Sequence, residues 1–168
     1  TQDALTHAQT RVNTTEPVNL GFKPEHMEVI RNGLTGVVTS GTSARVFAGA
    51  AYTSAGKTGT AQAVTIGQKE KYNAANLSEY QRDHALYMAY APVEKPQIAV
   101  AVVVENAGFG AASAAPIARR VFDYWLLGQY PSEEDMAATQ KGQSAAPIGK
   151  PRAKQDVPLE SRRLNSAN

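Results

Sequence analysis

The chain has 168 residues, of which 42% are hydrophobic, with a formal net charge of +2 and no cysteine. That length suits one domain with a real core or part of a larger one; the charge is too small to argue for a nucleic-acid surface, and disulfides and thiolate zinc sites are excluded. The longest apolar run, Ile98 to Val104, is strand-sized, far short of the ~20 residues that span a bilayer, and the polar start "TQDALTHAQT" is no signal peptide, so any membrane anchor is expected outside this chain.

Residues 1–22 are polar and without a clear period, which predicts a lead-in loop. Over "KPEHMEVIRNGLTGVV", Met27, Ile30, Leu34 and Val37 recur at helical spacing, with Pro24 where a first turn tolerates proline. "TSGTSARVFAGA" breaks that helix with Gly and Ser. "KTGTAQAVTI" carries β-branched residues and no helical period, so a strand is predicted there. Residues 67–82 read as a polar loop. "HALYMAYA" and "QIAVAVVVE" read as two strands joined by "PVEKP", which suits an antiparallel hairpin. A turn over "ENAGFGAAS" leads into a helix from near Ser113 to Leu127. Its predicted buried stripe is Ala114, Ile117, Val121 and Tyr124, with Trp125 alongside; Pro116 falls in its first turn and Gly128 ends it. From residue 131 to 168 the chain is polar, rich in Ala, Gln and Pro, and too poor in large apolar residues to offset its ordering entropy; a disordered tail is predicted. No internal repeat is present.

The predicted order is helix, three strands, helix. That is an α+β arrangement, an antiparallel sheet packed by helices. Three strands and two helices leave a sheet edge uncovered, so the chain is expected to be part of a larger unit.

One stretch, "AYTSAGKTGTAQ", matches several motifs. As a phosphate loop it is one residue short, because Ala51 stands where the first glycine belongs, and no strand-loop-helix context surrounds it. Ser54-x-x-Lys57 spells a nucleophile and its base. That pairing needs a shared helical face, and side chains three apart on a strand point to opposite faces. Ser54 is therefore expected to be a turn residue. Gly108 to Ser113 imitates a dinucleotide-binding turn but lacks the following strand and acid. His7, His26 and His84 are scattered without metal-ligand spacing, so no metal is expected; His84, beside Asp83, is expected to make a structural hydrogen bond. Glu25 and Glu28 read as a solvated face.

Lys57-Thr58-Gly59-Thr60 remains. On a strand, Thr58 and Thr60 share a face where two hydroxyls can bind a carboxylate. Lys57 is expected to point the other way, into the protein, where its ammonium can hold a proton network. Gly59 allows close approach of a substrate backbone, and an unpaired edge can pair with an extended peptide and stabilise an oxyanion through an N–H. An ordinary edge strand with threonines would look the same in these four residues.

The wider context resembles the C-terminal part of the class B penicillin-binding proteins, the peptidoglycan D,D-transpeptidases, most of all the penicillin-binding protein 2 type. "FKPEHMEVIRNGLTGVV" is similar to the helix before that family's Lys-Thr-Gly motif, "GTSARVF" to the following loop and "AGKTGTAQ" to the motif strand. "DHALYMAYAPVEKPQIAVAVVVENAGFG" is similar to the next two strands, and "AAPIARRVFDYWL" to the terminal helix. The resemblance runs from about Glu16 to Leu127. It implies that residues 23–130 are the C-terminal part of a transpeptidase domain of the penicillin-binding-protein and serine β-lactamase type.

By the same resemblance Lys57 belongs to the catalytic hydrogen-bond network. Thr58 and Thr60 bind the carboxylate of a terminal D-alanine or of a β-lactam, Gly59 admits the substrate, and the Thr60 N–H serves the oxyanion. The family's Ser-x-x-Lys and Ser-x-Asn motifs are expected upstream of Thr1, so this chain alone is expected to be inactive; Ser166-Ala167-Asn168 spells the latter motif in the wrong place. The implied partners are D-Ala-D-Ala stem peptides, β-lactams, the N-terminal remainder of the same protein and a membrane glycan polymerase. The implied location is the periplasmic face of a bacterial inner membrane, and no cofactor is implied. A β-lactamase-like hydrolase or sensor domain, and a non-catalytic module of the same fold, stay open on these motifs.

Overall fold

A computed structural model describes residues 1–13, 15–16, 18–64, 73, 77–143 and 145–157. Helix α1 spans Pro24–Thr39 and α2 spans Ala44–Phe47. Strands β1 (Ala55–Ala61), β2 (His84–Ala91) and β3 (Ile98–Val104) follow. Then come α3 (Gly110–Ser113), α4 (Ala115–Leu127), β4 (Gln129–Tyr130), α5 (Glu133–Gln140) and β5 (Arg152–Ala153). The architecture is α+β.

β1, β2 and β3 form one antiparallel sheet in that order. The ladder runs from Ala55 opposite Tyr90 to Ala61 opposite His84, then from Ala85 opposite Val104 to Ala91 opposite Ile98. β1 starts two residues before the predicted strand and stops at Ala61, because β2 offers partners only over that length; residues 65–66 of the predicted strand lie outside the described residues. The predicted loop at 67–82 falls largely outside the described residues; Glu79–Gln81 forms a single 3-10 turn.

Alternation along β2 buries Ala85, Tyr87, Ala89 and Ala91 on one face. That face meets α3 and α4, and Phe47 of α2 and Phe122 of α4 complete the core. The opposite face carries Met88 and Val103, both exposed.

α4 differs from its predicted stripe. Ala114 is buried as expected, but Ile117, Val121, Tyr124 and Trp125 are exposed, while Ala115, Ala118, Arg119 and Phe122 face inward. The helix is apolar around most of its circumference, so periodicity alone did not define the inward face. Small alanines let it approach the sheet closely, and the buried Arg119 turns the helix by donating to the Val46 and Ala48 carbonyls at 3.0 and 3.1 Å. The helix also starts in two pieces, α3 and α4, divided at Ala114. Gly128 ends it at φ 66° as predicted. On α1, Leu34 and Val37 are half-buried, but Met27 and Ile30 of the same predicted stripe are exposed.

The tail predicted to be disordered over 131–168 is organised over 131–143 and 145–157, and the rest of it lies outside the described residues. Ser132 caps α5 by accepting from the Asp135 N–H at 2.9 Å, and its hydroxyl donates to the Ile148 carbonyl at 2.7 Å. Arg120 of α4 grips both oxygens of the buried Asp135, at 2.9 and 2.6 Å, and donates to the Ala145 carbonyl. β4 pairs with β5. Directed, charge-assisted bonds hold a segment too polar to be held by apolar area alone.

Candidate functional site

β1 is the edge of its sheet and pairs only with β2 among the described residues. Residues opposite one another in a ladder share a face. Thr58 lies opposite Tyr87 and Thr60 opposite Ala85, so both threonines share a face, as the strand reading predicts. Thr60 is exposed and Thr58 half-buried. Lys57 lies opposite Met88 on the other face. It does not point into the protein: it is exposed, and its ammonium donates to the Thr58 carbonyl at 2.8 Å. The edge position explains this, since no second layer of the described residues covers Lys57.

Ser54 and Lys57 are not a pair. Ser54 is buried just before β1, its Oγ has no hydrogen-bond partner among the described residues, and Lys57 is exposed. Gly59 is closely packed in the folded chain: a Cβ there would lie 3.1 Å from the Leu86 Cβ. The first residue of α3 rests on the same backbone, since a Cβ on Gly110 would come within 2.7 Å of the Gly59 carbonyl oxygen and 2.1 Å of the Leu86 one. The Gly108–Ser113 run is thus a turn into a short helix set against the strand, not a nucleotide cradle.

The strand is anchored from beneath by a buried tyrosine. Tyr87 is 2% exposed, and a Cβ on Gly56 would lie 2.5 Å from its hydroxyl oxygen. That hydroxyl lies 3.0 Å from Ser43 Oγ. Burial pushes the Tyr87 phenol up. At the exposed end of the same loop, Thr42 Oγ1 lies 3.0 Å from Thr58 Oγ1. At the start of β1, the Thr53 hydroxyl donates to Glu94 and accepts from the Val93 N–H; the Thr53 bond, with a backbone N–H, holds the Glu94 carboxyl below its ordinary range.

Farther back, Arg119 makes two 3.0 Å bonds to the Asp123 carboxylate, which also accepts from the Tyr52 hydroxyl at 2.8 Å. Burial first, and the Asp123 charge second, push the Tyr52 phenol far up. This network ties the segment entering β1 to α4.

His84 makes the structural bond expected of it: its Nδ1 accepts from the Asn106 N–H at 3.0 Å. His7 and His26 are exposed. Among the described residues no group of three His, Asp or Glu is placed to hold a metal.

Thr42, Ser43 and Tyr87 were not singled out from the sequence. The signal that could have pointed to them is weak. "GTS" breaks a helix just before a candidate strand, and Tyr87 is the polar-tipped residue of an otherwise apolar strand face.

The description "Penicillin binding protein transpeptidase domain" fits residues 2–123. The chain is 45% identical over 109 residues to the peptidoglycan D,D-transpeptidase MrdA of Haemophilus influenzae, covering 64% of this chain and 17% of that protein. It is 46% identical over 110 residues to the Acinetobacter baumannii protein of the same name, covering 66% of this chain and 16% of that one. The chain therefore spans about a sixth of the length of these relatives. The crystal structure of Pseudomonas aeruginosa PBP2 in complex with WCK 5153 matches with a TM-score of 0.55 at 37% identity, covering 72% of this chain and 24% of that one.

Proposed function

The chain belongs to the penicillin-binding protein transpeptidase family, and from that premise we propose that it forms the substrate-binding wall of a peptidoglycan D,D-transpeptidase. The observation that carries the reading is β1. It sets Thr58 and Thr60 on one face of an edge strand, with Lys57 on the other. In this reading residues 23–130 are the C-terminal part of the transpeptidase domain, and the organised residues 131–143 and 145–157 are docked on α4.

The two threonine hydroxyls bind the carboxylate of the donor's terminal D-alanine, and β-lactams bind there through their own carboxylate. The open edge pairs with the stem peptide's backbone, and the Thr60 N–H donates to the oxyanion. Lys57 contributes its positive charge and protons to the network around the nucleophile. Ser54 is buried while Lys57 is exposed, so in this reading the nucleophilic serine belongs to a Ser-x-x-Lys outside these 168 residues. Its Oγ attacks the penultimate D-alanine carbonyl and the C–N bond breaks. D-alanine leaves with the proton. The amine of a neighbouring stem peptide then displaces the serine from the acyl-enzyme. The substrate places the work at the periplasmic face of the inner membrane, where a glycan polymerase would supply the strands.

Fluorescent penicillin tests the reading. It should label the complete protein through a serine and leave residues 1–168 unlabelled. No labelling of the complete protein, or a complete sequence without Ser-x-x-Lys followed by Ser-x-Asn, sinks it. An acyl-enzyme that only hydrolyses, with no transfer to an added amine, would make it a hydrolase.

A further inference from the structure

Thr42 has no part in the function proposed above, yet its hydroxyl touches that site. Thr42 Oγ1 and Thr58 Oγ1 are 3.0 Å apart. A hydroxyl has one proton to give and can accept two bonds. If Thr58 is to give its proton to a carboxylate, its bond with Thr42 must run inward, with Thr42 donating. The order Thr42 to Thr58 to carboxylate is a chain in which each bond polarises the next. With the opposite order, Thr58 spends its proton on Thr42 and meets an anion with lone pairs.

The loop that carries Thr42 is held firmly enough for this. The Gly41 N–H donates to the Gly36 carbonyl at 2.8 Å, and the turn closes tightly: a Cβ on Gly41 would lie 2.7 Å from the Val37 Cα. Ser43, fully buried, spends its hydroxyl proton on the Val37 carbonyl at 3.1 Å. Its bond to Tyr87 must then be donated by the tyrosine. Tyr87 is the ladder partner of Thr58. One buried side chain thus fixes the loop and underlies the residue that the loop addresses.

We propose that Thr42 is a positioning residue that sets the direction of the Thr58 hydroxyl proton and so tunes recognition of the substrate carboxylate. The proposal rests on the transpeptidase reading. Its test is the second-order acylation rate of the complete protein with benzylpenicillin and with its methyl ester, which lacks the anion. Thr42→Val keeps the shape and removes the donor. It should slow acylation by benzylpenicillin about tenfold, the loss of one hydrogen bond of ordinary net strength, and leave the ester rate unchanged. Thr42→Ser should restore the acid rate. With Thr58→Val already in place, Thr42→Val should cost nothing further.

An unchanged benzylpenicillin rate in Thr42→Val overturns the proposal, and so does an equal fall for acid and ester, which would mark a merely structural loop. Both outcomes leave the transpeptidase reading standing. A wild-type protein that neither compound acylates removes that reading and this inference together.

Discussion

Ser54 and Lys57 are three positions apart and have opposite fates. Ser54 is buried with a hydroxyl unpaired among the described residues, while Lys57 is exposed at the strand edge. An unpaired buried hydroxyl is a cost to the fold. Ser54→Ala should therefore be neutral or stabilise by up to ~1 kcal/mol in denaturant unfolding, and the complete protein should keep its penicillin labelling. Loss of labelling would return Ser54 to the chemistry. Lys57→Ala should do the reverse: unfolding stability within about 0.5 kcal/mol of wild type, as for most surface changes, and acylation slowed by about a hundredfold or more, the scale of a lost electrostatic stabiliser. Full acylation in that variant would remove Lys57 from the mechanism. At this scale the four-residue motif and its alternation were legible, because period-2 geometry is local. The exposure of Lys57 was not, because it depends on what packs over the edge.

Among the elements, α4 shows how a helix can be recognised while its inward face is misassigned. Its span, its early proline and its Gly128 cap are all local signals. Its inward face is decided by partners 71 and 73 residues away in sequence, the Ala48 and Val46 carbonyls that take the Arg119 protons. Arg119 also lies 6.0 Å from the ring centres of Phe47 and Tyr52. Removing one member of such a buried pair leaves a bare charge. Arg119→Ala should cost about 3–5 kcal/mol in unfolding, whereas Arg119→Met with Asp123→Leu should cost clearly less than the single change. A double variant as unstable as Arg119→Ala would show that packing, not charge, holds α2 to α4. The same arginine chemistry explains the misjudged tail. A composition rule weighs apolar area, and the segment after 131 is held instead by Arg120 on Asp135 and by the Ser132 cap.

Across the molecule, two phenols, the buried Tyr87 and the half-buried Tyr52, give the fold an alkaline limit. Tyr52 and Tyr87 both have pKa values raised above the ordinary 10.0, burial being the first cause in each. A folded-state pKa above the unfolded one leaves stability whole below the unfolded value and removes it as pH rises beyond. Thermal stability should therefore hold up to pH 10.0 as far as these tyrosines are concerned, and fall steadily above it. Tyr52→Phe and Tyr87→Phe should each flatten that fall in melts followed by circular dichroism. A slope unchanged in both variants would assign the limit to other groups.

By itself the sequence determined the α+β class, the order of α1, the three sheet strands and α4, and the hairpin at "PVEKP", because caps, turn residues and hydrophobic period act over a few neighbours; the family was legible in the extended resemblance of residues 16–127. Tertiary structure alone decided which side of α4 is buried, that residues 131–143 and 145–157 pack, that Thr42 reaches the motif strand and that Ser43 reaches Tyr87 on the strand beside it. The Thr42–Thr58 and Ser43–Tyr87 bonds join residues 16 and 44 positions apart. Contacts of that reach are set by how helices and sheet approach one another, and no local pattern encodes that approach.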